Sequence, residues 1–426
     1  MREYNIRDFG AIADGKTNNA ESIQAAIETC ASEGGGRVLV SGGTYLTGTL
    51  VLRSGVELHI AADGVLLASA NREDFPEFPK QHVDVSKLSR FSGAAMIYAE
   101  RCENISITGM GKIDGNGYAY VTPCAPYHSG WSYRRNGANT LPRVVFFAGC
   151  KNVLVEDVAV VDAPAGWAYW IHDCDFVRFD RAKVLCALDF PNNDGIHINS
   201  SRDVTVSNCE IRTGDDCIIL RAANRSLYEP KVCERVTVTG CTLMSRTNAI
   251  RIGWVGDGMI RNCKLSDLTI DQTRTGIAIY LPTAAVAFSD NNAQSCGADE
   301  KKRDLGASAL EKTHIENISF SNITMKNLYL SPLEIEIDTD ENTPCDCIKN
   351  IRFRHIYAEA LGFFAIIGRE GKTVENIGFC DCEFRQLRPE SIAYYFEETL
   401  KEIHPLTLKF TKNVTFENTA FSSEEC

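Results

Sequence analysis

DFPNNDGIHINSSRDVTVSNCEIRTGDDCIILR, residues 189–221, holds three aspartates in two clusters that head two similar segments. Asp194 precedes Gly195-Ile196-His197-Ile198, and Asp215 and Asp216 precede Cys217-Ile218-Ile219-Leu220. Both segments are apolar and rich in isoleucine, as strands are. Asp194 stands 21 and 22 residues before the pair, by subtraction of 194 from 215 and 216. If about 22 residues make one coil of a solenoid, the clusters occupy equivalent places on neighbouring coils, with strands roughly 4.8 Å apart. Three carboxylates then gather on one face, where a general acid and a general base can flank one bond. Asp-Gly and Asp-Asp are also ordinary turn residues, and each alone reads as a corner. Together and one coil apart they read as a site, because crowded acids raise one another's pKa and chemistry can use that cost.

An internal repeat runs outward from this stretch. Its unit is a polar pair, a β-branched residue, one residue, then another apolar residue. It reads Glu103–Ile107, Lys151–Val155, Asp175–Phe179, Arg202–Val206, Glu234–Val238, Ser266–Ile270, Glu316–Phe320, Lys349–Phe353, Glu375–Phe379 and Lys412–Phe416. Alternation inside each unit gives an inward and an outward face. Short units with no helix between them predict an all-β, single-stranded right-handed parallel β-helix. A β-sandwich is disfavoured, because its hairpin turns recur every 8–12 residues or so. Ahead of the repeat, Ala20, Ile23, Ile27 and Cys30 share one helical face in residues 20–32, and Gly34-Gly35-Gly36 ends that helix. Strand-like runs follow at Arg37–Val40, Thr49–Leu52, Val56–Ile60 and Val65–Leu67. The helix reads as a cap over the open end of the stack, which otherwise exposes an unpaired edge. The expected organisation is one β-helix domain over 1–426, with the cap and first coils in about 1–70.

Two insertions interrupt the repeat. Residues 115–143 are rich in Tyr, Trp, Arg and Gly. Their aromatics can stack on sugar rings, with Arg134, Arg135 or Arg143 holding a carboxylate, or the loop can fold over its own aromatics. Residues 283–311 are polar and charged, a surface loop that rims a cleft or meets another subunit.

The whole chain has 426 residues, 44% of them hydrophobic and 23% charged, an ordinary globular balance. A net charge of -12 argues against nucleic acid or an anionic membrane as the main partner, and leaves room for a locally basic cleft. No apolar run approaches about 18 residues, so no membrane span is expected. The start, MREYNIRDFGAIADG, has no apolar core of a secretion signal. Together with 17 cysteines spread along the chain as small core fillers, this predicts a cytoplasmic protein. Cys345-x-Cys347 and Cys380-x-Cys382 lack a matching second pair with histidines, so neither a metal nor another cofactor is expected.

These features resemble glycoside hydrolase family 28, the polygalacturonase and rhamnogalacturonan hydrolase group. The likeness runs from about Tyr4 to at least Pro282. DFGAIADGKTNNAESIQAAIETCASEGGGRVLVSGGTYLTG is similar to the family's N-terminal cap, and Pro142-Arg143-Val144 before Cys150-Lys151-Asn152-Val153 fits as well. Asp162-Ala163-Pro164 with Trp167 resembles its Ser-Pro and aromatic stretch. Asn192-Asn193-Asp194-Gly195-Ile196 resembles its Asn-Thr-Asp-Gly motif, and Gly214-Asp215-Asp216-Cys217 matches its Gly-Asp-Asp-Cys. The resemblance implies inversion by a single displacement. Asp215 is then the general acid, and Asp194 and Asp216 hold and deprotonate the attacking water. Such an acid and base stand roughly 6.5–9.5 Å apart.

Two departures bear on the substrate. Asn248 stands where the family's Gly-His-Gly has histidine, and Gly276-Ile277-Ala278-Ile279-Tyr280 lacks the cations of its Arg-Ile-Lys. Arg251, Arg246 or Arg274 is expected to supply a substitute charge, or Arg251 braces a corner. Asn192, His197, Asn248, Tyr280 and Trp167 complete the expected substrate-binding set. The expected activity is exo-hydrolysis of pectin-derived or related oligosaccharides. The competing readings are a polysaccharide lyase, which uses a basic residue and Ca²⁺ near clustered acids, a glycosyl transferase, and a non-catalytic carbohydrate-binding β-helix.

Overall fold

The structure, a computed structural model, describes residues 2–76, 82–84, 93–135, 143–164, 166–283, 311–338 and 345–424. The chain winds into a right-handed parallel β-helix whose coils stack through three ladders. The repeat units form the first ladder, with Ile105, Val153, Val177, Val204 and Val236 in register. The second ladder passes through Lys112–Asp114, Ala159–Val161, Lys183–Leu185, Glu210–Thr213 and Thr242–Ser245. The third passes through Arg143–Ala148, Tyr169–His172, Ile196–Asn199, Ile218–Arg221, Asn248–Ile252, Thr275–Leu281 and Ser331–Ile337. That third ladder carries the candidate site.

The polar pair at the head of each unit has a backbone reason. Its second residue takes a positive φ at Asn104, Asn152, Phe176, Asp203, Arg235, Asn317, Asn350, Asn376 and Asn413. Asparagine tolerates that left-handed turn better than most side chains. Stacked in register, the asparagines also bond to one another: the Asn152 amide donates to Asn104 (2.6 Å), Asn350 to Asn317 (3.1 Å), Asn376 to Asn350 (3.0 Å) and Asn413 to Asn376 (2.9 Å). The last apolar residue of the later units stacks likewise, buried except at the final Phe416. Phe320, Phe353, Phe379 and Phe416 lie with ring centroids 4.9, 4.9 and 5.0 Å apart, the spacing of the strands themselves.

One repeat assignment is corrected. Ser266–Ile270 fits the pattern but belongs to the second ladder, where Thr269 pairs with Thr242. The unit in line with the others is Arg261–Leu265: Arg261 pairs with Glu234 and Cys263 with Ile318, and Asn262 takes the positive φ. Both pentapeptides lie in one long strand, Met259–Asp271, so the pattern alone does not choose between them.

The capping helix spans Ala20–Ser32 as the periodicity predicts, burying Ile23, Ala26, Ile27 and Cys30 against the first coils. In the first insertion, Val121–Tyr127 and Trp131–Arg135 form an antiparallel hairpin. Its aromatics pack on one another and on the scaffold: Tyr118 and Tyr133 meet Phe190 edge-on, and Tyr127 meets Trp131. Residues 136–142 lie outside the described residues, as does all of the second insertion except Thr283 and Glu311. Among the described residues no helix is long and apolar enough to cross a membrane.

Candidate active site

The acids come together through strand register. The backbone N–H groups of Ala168, Gly195 and Cys217 donate to the carbonyls of Asp194, Asp216 and Asn248 on the next coil. Trp167, Asp194, Asp216 and Asn248 therefore stand in one column just ahead of the third ladder, continued by Thr275. Asp215 stands in the adjoining column with Asn193 and Thr247. The glycines of both motifs are needed for close approach: a Cβ on Gly195 meets the Cys217 carbonyl at 2.3 Å, and one on Gly214 meets the Phe190 carbonyl at 2.3 Å. Asn193 fixes the corner, its Oδ1 accepting the N–H groups of Gly214 (2.8 Å) and Asp215 (3.1 Å).

An oxygen from each of Asp194, Asp215 and Asp216 lies within 4.8 Å of the other two. These are nearest oxygens, closer than the 6.5–9.5 Å or so between whole acid and base groups, because successive coils approach to strand spacing and all three acids stand at one corner. Asp215 Oδ2 accepts from the backbone and side-chain nitrogens of Asn192, both at 3.1 Å. Its Oδ1 accepts from the Thr247 hydroxyl (2.9 Å) and the Asp216 N–H (3.0 Å). Asp216 Oδ1 lies 2.8 Å from the same Thr247 hydroxyl and accepts the Asn248 amide at 2.6 Å. Thr247 has one hydrogen for two acids, so a proton on Asp215 completes the pair of bonds. Burial, then Asp216 beside it, pushes Asp215 up to about 7. Asp194 is 5% exposed, and burial, then Asp215 and Asp216, hold it well above the usual carboxylate range. Such a set titrates together and retains a proton near neutrality.

The expected substrate-binding residues are sorted by the structure. Asn192 and Asn248 hold the acids. His197 bonds Asp194 (Nε2 to Oδ2, 2.9 Å) and lies flat on Trp167; at 4% and 9% exposure the two rings stand behind the acid. Arg274 pairs with Glu402, and Arg246 stacks 3.3 Å over the Tyr394 ring. Arg251, 6% exposed, donates to the Tyr280 carbonyl (2.8 Å) between the rings of Trp254 and Tyr280. It forms no ion pair among the described residues, and Asp216 is within its electrostatic reach. Of the insertion's arginines, Arg143 is fully buried 3.9 Å over Trp170, Arg135 donates to Asn192 (2.7 Å), and Arg134 lies over Tyr127.

Three contributors escape sequence reasoning. Thr247 bridges two acids, and Ser245 donates to the Asp215 carbonyl at 2.6 Å. Both lie one coil after Asp215, but that coil is 32 residues long by the register of Ile218 with Ile250, so the 22-residue spacing does not find them. Trp131 of the hairpin donates from Nε1 to the Gly214 carbonyl at 2.6 Å. Among the described residues, the three aspartates are also the one cluster of His, Cys, Asp and Glu groups close enough to hold a metal ion. An all-carboxylate set suits a hard cation such as Ca²⁺.

Known proteins resemble this chain in sequence and in fold. The profile described as Glycosyl hydrolases family 28 matches residues 41–289, and one described as Rhamnogalacturonase A/epimerase, pectate lyase-like matches residues 4–70. A polygalacturonase of Gossypium hirsutum is 24% identical over 383 residues, covering 83% of this chain and 84% of that one. An exopolygalacturonase of Arabidopsis thaliana is 22% identical over 369 residues, covering 80% and 76%. Among solved structures, a hyperthermoactive exopolygalacturonase from Thermotoga maritima superposes with a TM-score of 0.68 at 20% identity, covering 99% of this chain and 92% of that one.

Proposed function

Because the chain belongs to glycosyl hydrolases family 28, we propose that this glycoside hydrolase cleaves pectin-derived oligosaccharides by single displacement from a chain end. The observation that carries the mechanism is the corner where three carboxylates meet within 4.8 Å, one of them raised to about 7. A water fits between two such oxygens, at roughly 2.8 Å from each. Its oxygen attacks the anomeric carbon and its proton passes to Asp194 or Asp216. The carbon–oxygen bond to the leaving sugar breaks as Asp215 gives its proton to the leaving oxygen. The two products are free sugars, and the attacked carbon is inverted.

The names of the relatives support a galacturonate-containing substrate and exo-action. Arg251 is the cation we assign to the sugar carboxylate, since it is buried within electrostatic reach of Asp216 and Glu334 and forms no ion pair among the described residues. We place the enzyme in a reducing compartment, the cytoplasm, acting on imported fragments, on the strength of fifteen free cysteines among the described residues. Separating cytoplasmic from exported protein tests that placement, and recovery outside the cell overturns it.

The test of the reaction is product analysis by proton NMR on galacturonate- and rhamnose-terminated pectic oligosaccharides. An inverted monosaccharide released first is the expected result. Internal cleavage overturns exo-action, and silence across the panel overturns the substrate class. The short acid spacing favours one second reading, retention through a glycosyl–aspartate, since retaining pairs stand roughly 5–5.5 Å apart. A first product of unchanged configuration selects it. An unsaturated product that needs Ca²⁺ selects the lyase.

A further inference from the structure

We propose that Trp167 and His197 form a clamp that positions Asp194, with His197 donating from Nε2 to its Oδ2. This rests on the hydrolase reading above and adds to it a pair of residues with no contact to the sugar.

The need for the clamp follows from where Asp194 sits. It is the deepest of the three acids, and its Oδ1 is buried with no hydrogen-bond partner among the described residues. Asp215 and Asp216 crowd it, and Arg135 gives partial relief. A base so placed takes up a proton in the resting enzyme unless a donor favours its charge. Among the described residues, His197 is the one side chain hydrogen-bonded to it.

The geometry of the clamp is specific. The imidazole lies on the Trp167 indole with ring centroids 3.7 Å apart and planes 11° apart. Trp167 occupies the place of Asp194 one coil earlier, and its ring reaches diagonally to His197, whose partner in register is Trp170. Its φ is +65, a left-handed conformation that is a true outlier for so bulky a residue. Such strain costs on the order of 1–3 kcal/mol and persists where the surroundings dictate it. Here the Trp167 backbone donates to the Asn192 carbonyl (3.2 Å) and accepts from the Val144 N–H (3.1 Å), and the Arg143 guanidinium lies 4.5 Å from its ring. Burial, with Arg221 and Arg143 nearby, holds His197 well below an ordinary histidine. The ring is therefore neutral with a single N–H, and we place that N–H on Nε2, the nitrogen 2.9 Å from Asp194. At 4% exposure the ring offers a sugar almost nothing to touch.

Two measurements on the full chain decide it. In protein labelled with ¹⁵N at histidine, His197 is expected to keep its proton on Nε2 from pH 5 to 8, with a resonance that Asp194→Asn displaces. A bare Nε2, with the proton on Nδ1, overturns the proposal, since Asp194 is then the donor. This reading needs no activity, so it stands or falls separately from the hydrolase assignment. The second measurement is kcat and KM against pH for His197→Ala, His197→Gln and Trp167→Phe. Loss of the positioning bond is expected to lower kcat roughly 10–100-fold, to leave KM within about threefold, and to move the acid-side limb to higher pH. The groups facing that limb are Asp215, Asp216, Arg135, Arg143 and Arg221. Glutamine, which can donate an N–H over a similar reach, restores part of kcat. A limb that does not move, in variants that only melt earlier, overturns the positioning role. Should His197→Ala not fold, His197→Gln and Trp167→Phe give the same decision.

Discussion

Two columns of side chains stack along the same solenoid, on different coils, and their chemistry is opposite. Asn317, Asn350, Asn376 and Asn413 stack amide on amide, each donating to the one before. Asp194 and Asp216 stack carboxylate on carboxylate, with Asp215 at their side. An amide donates and accepts, so repetition satisfies every member. A carboxylate only accepts, so repetition drives charges together until a proton or a donor intervenes. The scaffold column stabilises the coil. The acid column holds a proton ready near neutral pH, which is what an acid–base site requires.

The comparison breaks most sharply at Asp215→Asn, which makes an acid position an amide. We expect kcat to fall by about 10²–10⁴-fold, with a melting temperature equal to or above that of the parent, because like charges are relieved. Steady-state rates and a thermal melt check this, and an unaltered rate removes Asp215 as the acid.

The next effect is on pH. Asp215 must carry its proton to act, so kcat should fall as pH rises through about 7, by tenfold per unit beyond it. Stability has a matching sign. A carboxyl whose folded pKa is raised binds more protons folded than unfolded, so its contribution declines from about pH 4 upward to about 7. The limiting slope is about 1.4 kcal/mol per pH unit for one group. Denaturant melts of the parent and Asp215→Asn at pH 5 and pH 8 should therefore diverge, the variant gaining at the higher pH.

A smaller effect tests the cation beside the acids. Arg251→Gln should lose about tenfold in kcat/KM, a loss of about 1.4 kcal/mol, on a galacturonate-terminated oligosaccharide and little on its carboxyl-reduced form. Equal losses on both substrates make Arg251 a brace of the corner.

The smallest effect sharpens the amide side. Asn350→Ala breaks two ladder bonds and strains a φ of 59, costing about 1–2 kcal/mol. Asn350→Gly loses the bonds without that strain and should cost less. Activity should be untouched in both, and chemical denaturation reads the difference.

Much of this was legible in the residues. The 22-residue spacing aligns Asp194 with Asp216, and Ile196 indeed pairs with Ile218. The capping helix falls where its period places it. The Ser266–Ile270 unit was misplaced, because two pentapeptides in one strand share a pattern and only hydrogen-bond register separates them. Thr247 was missed although its neighbour Asn248 was named, because only the folded distances show its hydroxyl bridging two acids. His197 and Trp167 were expected against the sugar; in the structure His197 bonds the acid and Trp167 lies on the His197 ring.

By itself the sequence determined the coil: alternation chose strands, the recurring pair chose the turn, and the count between motifs chose which acids share a corner. These are local or periodic properties, and one chain carries them in full. Only the tertiary structure decided which proton sits where and which cation is spoken for. Those depend on burial and on separations of a few ångströms between residues far apart in the chain, such as Arg274 with Glu402 or Thr247 with Asp215. Electrostatic energy varies with that distance and that exposure, and neither is written in the order of the residues.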